Sequence, residues 1–326
     1  MTEFRIVYFD EVKDPYQITL LLQLSLYFPA TPEHLGLMRK SDDRYTPEFG
    51  IFAVTTDGTV VAGHFLMQIP TETTDGRLDV GGVNAVATRP DYARKGIMNA
   101  VMTKAHDYFL DRGLEYSFLT TSNRLVAAGL YEKLGYVELA RGRNVVKYPN
   151  QFRFQASADA SVRPGSEDDR PIIDEIFRKV VAGSYGFVYR PNDFLRARAG
   201  MVDREVRLSE KLRVVERDQK PTGYAYWESN PRLTEATEIL ALDQDSFIAL
   251  LSDAESRAPN NVVLVCCDGL IDRELDWFKG TGFEAPVESY SRAIIKDFKG
   301  KTDANRMKKL YGVETGKFRC GLWDGT

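Results

Sequence analysis

The chain has 326 residues, of which 43% are hydrophobic, 28% charged and 11% aromatic, with a net charge of −4 at pH 7. That length exceeds what one hydrophobic core usually serves, so two domains are expected. The acidic balance argues against a general nucleic-acid binder, no apolar run approaches the ~18–20 residues that span a bilayer, and the opening MTEFRIVYFDEVKDP lacks the basic start and apolar stretch of a secretory leader, which together predict a cytoplasmic protein without a membrane or nucleic-acid partner.

In chain order, Phe4–Phe9 reads as a strand and Tyr16–Tyr27 as a helix by period. Gly50–Thr55 and Thr59–Ile69 are strands joined at Thr56-Asp57-Gly58, a strong hairpin signal. Leu78–Thr88 is strand-like. A helix is expected from about Gly96 to Arg112, stopped by Gly113. Leu114–Thr121 is a strand, Asn123–Leu134 a second helix ended by Gly135, and Tyr136–Lys147 a strand pair. The polar stretch Tyr148–Ser161 breaks the pattern and reads as a linker.

The second half repeats much of this order. Arg170–Val181 is a helix with Pro171 in its first turn. Lys211–Arg217 and Thr222–Glu228 form a hairpin, Ala236–Leu242 a strand, Ser246–Ser256 a helix, Asn261–Cys267 a strand, Leu270–Gly280 a helix and Val287–Lys296 a final strand. The fold class expected is α/β with a mixed sheet, one architecture used twice, divided into domain 1–150, linker 151–160 and domain 161–326.

Cys266, Cys267 and Cys320 read as buried reduced thiols. No Cys or His pair has metal-ligand spacing, so no metal is expected. His34, His64 and His106 are scattered and read as structural.

The chemistry concentrates in Val83–Ala105. A strand ends at Arg89-Pro90, and Arg94, Lys95 and Gly96 lead straight into a helix. The first turn of a helix has backbone N–H groups without internal partners at the positive end of the macrodipole, which suits a phosphate. Gly96 lets that phosphate approach the backbone, and Arg94 and Lys95 add positive charge. Pro90-Asp91-Tyr92-Ala93-Arg94-Lys95-Gly96-Ile97 resembles the acyl-CoA-binding loop of the GNAT N-acyltransferase superfamily, usually Arg/Gln-x-x-Gly-x-Gly/Ala. Ala93 stands here for the first basic residue and Met98 for the last small one. Gly-Ile-Met resembles the Gly-Leu-Leu of the Eis-like subgroup, and Gly81-Gly82-Val83-Asn84-Ala85-Val86 is Eis-like too. A second motif, Asn123, Ala127, Tyr131, Gly135 and Tyr136, is similar to the superfamily's Asn-x-x-Ala-x-x-x-Tyr-x-x-x-Gly-Phe/Tyr with one residue added.

The resemblance implies acetyl-CoA as cosubstrate, held by Val86, Ala87, Thr88, Arg94, Lys95, Gly96, Ile97, Met98, Asn99, Ser122 and Asn123. It implies Tyr131 as general acid to the departing CoA thiolate. An ordinary phenol and thiol differ by about 1.5 pKa units, so full transfer costs roughly 2 kcal/mol. For the base, Glu72, Asp79 and, from the Eis-like resemblance, the terminal carboxylate of Thr326 are candidates. Backbone N–H groups of Val86–Thr88 would meet the oxyanion. In the second half Asp243-Gln244-Asp245-Ser246 follows the strand where the basic loop would be, which predicts a degenerate copy that builds the acceptor pocket or a subunit contact in a homo-oligomer. The activity expected is N-acetyl transfer to a small-molecule amine. The alternative is a non-catalytic acyl-CoA-binding or sensing protein.

Overall fold

The computed structural model describes residues 3–124, 127–149, 159–191, 194, 208–321 and 324. In order, β1 (Phe4–Tyr8), α1 (Tyr16–Leu26), α2 (Pro32–Ser41), β2 (Tyr45–Thr55), β3 (Val60–Thr73), β4 (Gly76–Thr88), α3 (Ile97–Asp111), β5 (Tyr116–Ser122), α4 (Ala128–Lys133) and β6 (Val137–Lys147) make the first half. The second half has β7 (Ala160–Pro164), α5 (Arg170–Val181), β8 (Tyr185–Gly186), β9 (Leu212–Arg217), β10 (Lys220–Ser229), β11 (Leu233–Ala241), α6 (Gln244–Arg257), β12 (Val262–Cys266), α7 (Asp272–Leu275), β13 (Val287–Asp297), α8 (Ala304–Leu310) and β14 (Phe318–Arg319).

One mixed sheet runs through the molecule in the order β1-β2-β3-β4-β5-β13-β6-β12-β11-β10-β9-β7. Apart from β13 and β6, each half contributes five strands in the same sequence, and the two sets meet in mirror order. At the junction the halves exchange strands. β13, near the end of the chain, lies between β5 and β6 of the first half, with Ser291 opposite Ser122 and Ala293 opposite Ala140. β6 in turn pairs with β12 of the second half, from Val263↔Lys147 to Cys266↔Asn144.

Local chemistry explains most elements. Gly58 turns the β2–β3 hairpin with φ +90. Along α3, Ile97, Met98, Val101, Met102, Ala105, Tyr108 and Phe109 are buried, a continuous apolar stripe at helical spacing, and the helix stops before Gly113. A Cβ on Gly81 would lie 2.5 Å from the Phe109 ring, so glycine there lets α3 press directly onto β4. The α3 and α4 face carries its own apolar cluster, with Ile97, Val101, Leu119 and Tyr131. The opposite face, under α1, α2 and α8, carries another with Leu21, Phe65, Phe118 and Tyr311. A third fills the second half around Tyr224, Trp227 and Phe247.

Several expectations need adjustment. Tyr136–Lys147 is one strand rather than a pair, because β13 supplies its neighbour. The helix expected over Asn123–Leu134 is shorter, Ala128–Lys133, with Asn123 and Arg124 in a turn. Leu270–Gly280 is only a short helix, Asp272–Leu275, and one 3-10 turn, Asp276–Phe278. The helices α2 and α8 were not anticipated. α2 has a legible start, with Pro32 in its first turn and the Thr31 hydroxyl accepting from the His34 N–H at 3.3 Å.

Candidate active site

The site begins where two parallel strands part. β4 and β5 pair only at Gly81↔Ser117 and Gly82↔Phe118. β4 then continues six residues to Thr88 along β3, while the far edge of β5 is taken by β13. A wedge is left between Val83–Thr88 and Leu119–Ser122. A register shift in the β3–β4 ladder and a left-handed Ala85, φ +53, accentuate the bend of β4. The Arg89 N–H bonds the Val61 carbonyl at 2.9 Å. Strand alternation therefore turns the N–H groups of Val86 and Thr88 away from β3, into the wedge. The Thr88 carbonyl, on that same side, accepts from the Ser25 hydroxyl at 3.0 Å.

At the mouth of the wedge stands the N-terminus of α3. Gly96 is its N-cap residue, at φ +77 and ψ 0, and no side chain caps the first turn. The Ala100 N–H reaches the Gly96 carbonyl at 3.3 Å, so the N–H groups of Ile97, Met98 and Asn99 have no partner inside the helix. Nothing lies within 4 Å of a Cβ placed on Gly96, but its left-handed backbone favours glycine. Arg94, at φ +62, and Lys95 are exposed, and among the described residues no carboxylate is within ion-pair distance of either. The Lys95 ammonium sits 4.6 Å from the Tyr92 ring centroid, and Arg89 5.6 Å from the same ring while pairing with Asp91 at 3.1 Å. The loop is thus a cluster of cations around uncapped N–H groups, a ready place for a diphosphate.

The other wall is β5. Its end is held by β13, the Asn123 N–H bonding the Tyr290 carbonyl at 3.0 Å. The Ser122 hydroxyl accepts from the Arg124 N–H at 3.2 Å. Tyr131 projects from α4 into the α3-side cluster and is 3% exposed. Burial raises its phenol above the ordinary range. Among the described residues its hydroxyl has no hydrogen-bond partner. The side chains of Ile97 and Met98 are buried under the sheet, so those two residues offer a ligand their backbone alone, while Asn99 is exposed.

The structure sets Val86, Ala87, Thr88, Arg94–Asn99, Ser122 and Asn123 along the two walls and mouth of one wedge, and buries Tyr131 in the α3-side cluster that includes Leu119 and abuts Val86. It does not bring Glu72 and Asp79 there. They pair with Arg77 and Pro70 toward the β3–β4 turn, seven or more residues from Val86, which is roughly 20–30 Å along the strand. Glu72 accepts from the Tyr189 hydroxyl, and Asp79 from Gln68 at 2.8 Å. Thr326 lies outside the described residues.

Sequence reasoning missed a buried polar chain beneath the wedge. The Lys296 ammonium lies 3.3 Å from His106 Nδ1, His106 Nε2 is 3.0 Å from the Tyr136 hydroxyl, and that hydroxyl is 2.6 Å from Ser117 Oγ. An ammonium can only donate, so Nδ1 accepts and Nε2–H donates onward to Tyr136. Burial pushes His106 down to about 3, aided by Lys296, and so keeps it neutral. The chain clamps α3, β5, β6 and β13 together where β4 and β5 begin to part. Ser117 carries no motif, and Lys296 is 190 positions from its partner His106 in sequence, so nothing local announced the chain.

Residues 17–138, which include both motifs and the whole wedge apart from β13, match the family model described as an acetyltransferase (GNAT) domain. A structure from Enterococcus faecalis, described as a conserved protein of unknown function and probable N-acyltransferase, superposes with a TM-score of 0.68 at 15% identity, covering 92% of this chain and 73% of that one. A GCN5-related N-acetyltransferase from Anabaena variabilis gives 0.67 at 14%, covering 91% and 73%. Eis1 from Mycobacterium abscessus gives 0.60 at 14%, covering 91% and 74%. No curated protein matches the chain. Residues 17–138 thus resemble a GNAT acetyltransferase domain, and the chain has the fold seen in these N-acetyltransferase structures.

Proposed function

We propose that the protein transfers an acyl group, acetyl first among them, from acetyl-CoA to a small-molecule amine by direct attack. The observation that carries this is the uncapped N-terminus of α3, with Arg94, Lys95 and Gly96 beside it, opening onto the wedge between β4 and β5. Gly96–Asn99 and the two cations suit the diphosphate. Val86–Thr88 on one side and Ser122 and Asn123 on the other suit the pantetheine arm. Acetyl-CoA brings the acyl group as a thioester. The amine lone pair attacks its carbonyl carbon, the C–N bond forms and the C–S bond breaks. The amine's surplus proton passes to water. The N–H groups of Val86 and Thr88 face the place where negative charge develops on the carbonyl oxygen. Tyr131 donates a hydrogen bond from its hydroxyl to the departing sulfur, which leaves as the thiolate. Because burial raises that phenol, complete transfer costs more than the roughly 2 kcal/mol of ordinary pKa values, so its contribution is a hydrogen bond that strengthens as the thiolate forms.

The second half is read as a degenerate copy. The Asp243 carboxylate caps α6 itself, accepting from the Ser246 N–H at 2.9 Å, and so takes the place a diphosphate would need. Calorimetry with acetyl-CoA tests the reading. Binding by the wild type that disappears in Gly96→Glu supports it, and a wild type that does not bind removes it.

A further inference from the structure

We infer that the cavity at the strand exchange is the acceptor site and that the acceptor is a small zwitterion, an amine carrying an anionic group, as amino acids do. The inference rests on the acyltransferase reading above. The cavity holds about 340 Å³ and is lined by Thr120, Ala140 and Gly142 of the first half and by Asp268, Ser291 and Lys308 of the second. That volume is at the lower end for ligand sites, roughly 300–1,000 Å³. It suits a molecule of amino-acid size and not an oligosaccharide.

Its place fits an acceptor. Thr120 lies on β5 beyond Phe118, where β4 has already left. Strand alternation puts Thr120 on the same face as Phe118, opposite the face of Leu119 and Tyr131. An amine in the cavity would approach the wedge from one side of the sheet while Tyr131 serves the leaving sulfur from the other.

Its charges define the class. Most ionised groups in the lining neutralise one another. Arg141 pairs with Glu138 at 2.8 Å and Glu288 at 3.0 Å, and Arg143 with Asp272 at 2.9 Å. Two groups are left over. Among the described residues, neither Asp268 nor Lys308 has an ion-pair partner. The Asp268 carboxylate is held in place, accepting from the Arg143 N–H at 3.0 Å, and a Cβ on residue 142 would lie 2.4 Å from its Oδ1, so glycine there makes room for it. Burial pushes its pKa up, against the lowering pull of its hydrogen bonds and of the Arg143 charge. One held anion and one cation without an ion-pair partner among the described residues, in a small cavity, match the ammonium and the carboxylate of one ligand.

Saturation-transfer NMR tests this on the full chain, with the twenty amino acids, their amides and spermidine as probes, and with acetyl-CoA calorimetry in parallel. The expected result is binding of at least one free amino acid, at least tenfold weaker binding of its amide, and no binding of spermidine. Asp268→Asn and Lys308→Gln should each weaken the amino acid at least tenfold and leave acetyl-CoA binding unchanged. Amides or spermidine binding as well as the free acids overturns the inference, as does amino-acid binding indifferent to Lys308→Gln, a variant that removes no ion pair among the described residues. Amino-acid binding in a protein that ignores acetyl-CoA would instead overturn the acyltransferase reading and leave the cavity an amino-acid site but not an acceptor site.

Discussion

The molecule contains two wedges, and they differ in who satisfies their polar groups. In the first half β4 and β5 separate after two paired positions, and the helix that follows β4 begins at an uncapped glycine among exposed cations. In the second half β11 and β12 pair over four positions, Leu233↔Val262 to Ala236↔Val265, before β11 runs on along β10. The helix that follows β11 is capped by Asp243, and Arg217 lies 3.3 Å from Asp243 and 3.5 Å from Asp245. Within the second wedge the chain supplies its own ligands. Arg190 pairs with Glu238 of β11 and with Asp324, Nη1 lying 3.1 Å from Glu238 and Nη2 3.0 Å from Asp324. What remains beside Glu238, Cys266, Arg319 and Asp324 is a space of about 20 Å³, room for about one water. Equal topology does not confer an equal site. The first wedge leaves N–H groups and cations for a ligand, and the second has consumed them internally.

The comparison can be broken most sharply at the two helix N-termini. Gly96→Glu should remove acetyl-CoA binding altogether in calorimetry, since it combines a like charge with a left-handed backbone. Retained binding would place the cofactor elsewhere. Next in size is the second wedge. Arg190→Met leaves Glu238 and Asp324 buried without a cation and should cost about 3–5 kcal/mol in urea unfolding, while acetyl-CoA affinity stays as it was. A change in that affinity would mean the two wedges are coupled. Tyr131→Phe should lower kcat on the order of 10²-fold with the KM for acetyl-CoA unchanged, and a loss under threefold would reduce Tyr131 to a core aromatic.

Acid should separate the halves as well. All three histidines are in the first half, and burial pushes His64 down to about 4 and His106 to about 3. Below pH ~6.5 the unfolded chain binds protons that these rings refuse, so stability falls as the pH drops from about 6.5 toward 4, by up to roughly 1.4 kcal/mol per pH unit for each ring. Above pH 6.5 they contribute no slope. Unfolding followed from pH 7.5 to 4.5 checks this, and a flat profile would contradict the burial of both rings. The smallest effect is expected at Asp243→Ala, about 1 kcal/mol for a lost N-cap. Acetyl-CoA bound by that variant at the second helix would show that the cap alone keeps that wedge shut.

Much of the site could be read locally. The loop Arg94-Lys95-Gly96 and the helix after it are contiguous features whose spacing reflects backbone geometry, and the structure sets them at the mouth of one wedge. The α5 helix occupies Arg170–Val181 as read, because Pro171 near its start and the apolar period are both local signals. The partner of β6 was not legible. Periodicity shows that Val287–Lys296 is a strand and says nothing about which edge it joins. The same holds for Lys296 on His106, Asp268 against Gly142, and Arg190 between Glu238 and Asp324, contacts made across 48 to 190 residues of chain. What this sequence determines by itself is the set of elements and the anion-ready loop, since propensity, capping and the helix dipole act within a turn or two. Which wedge stays open, and which charges face the cavity between the halves, was decided only in three dimensions, where desolvation makes every buried donor, acceptor and charge seek the nearest partner regardless of its place in the chain.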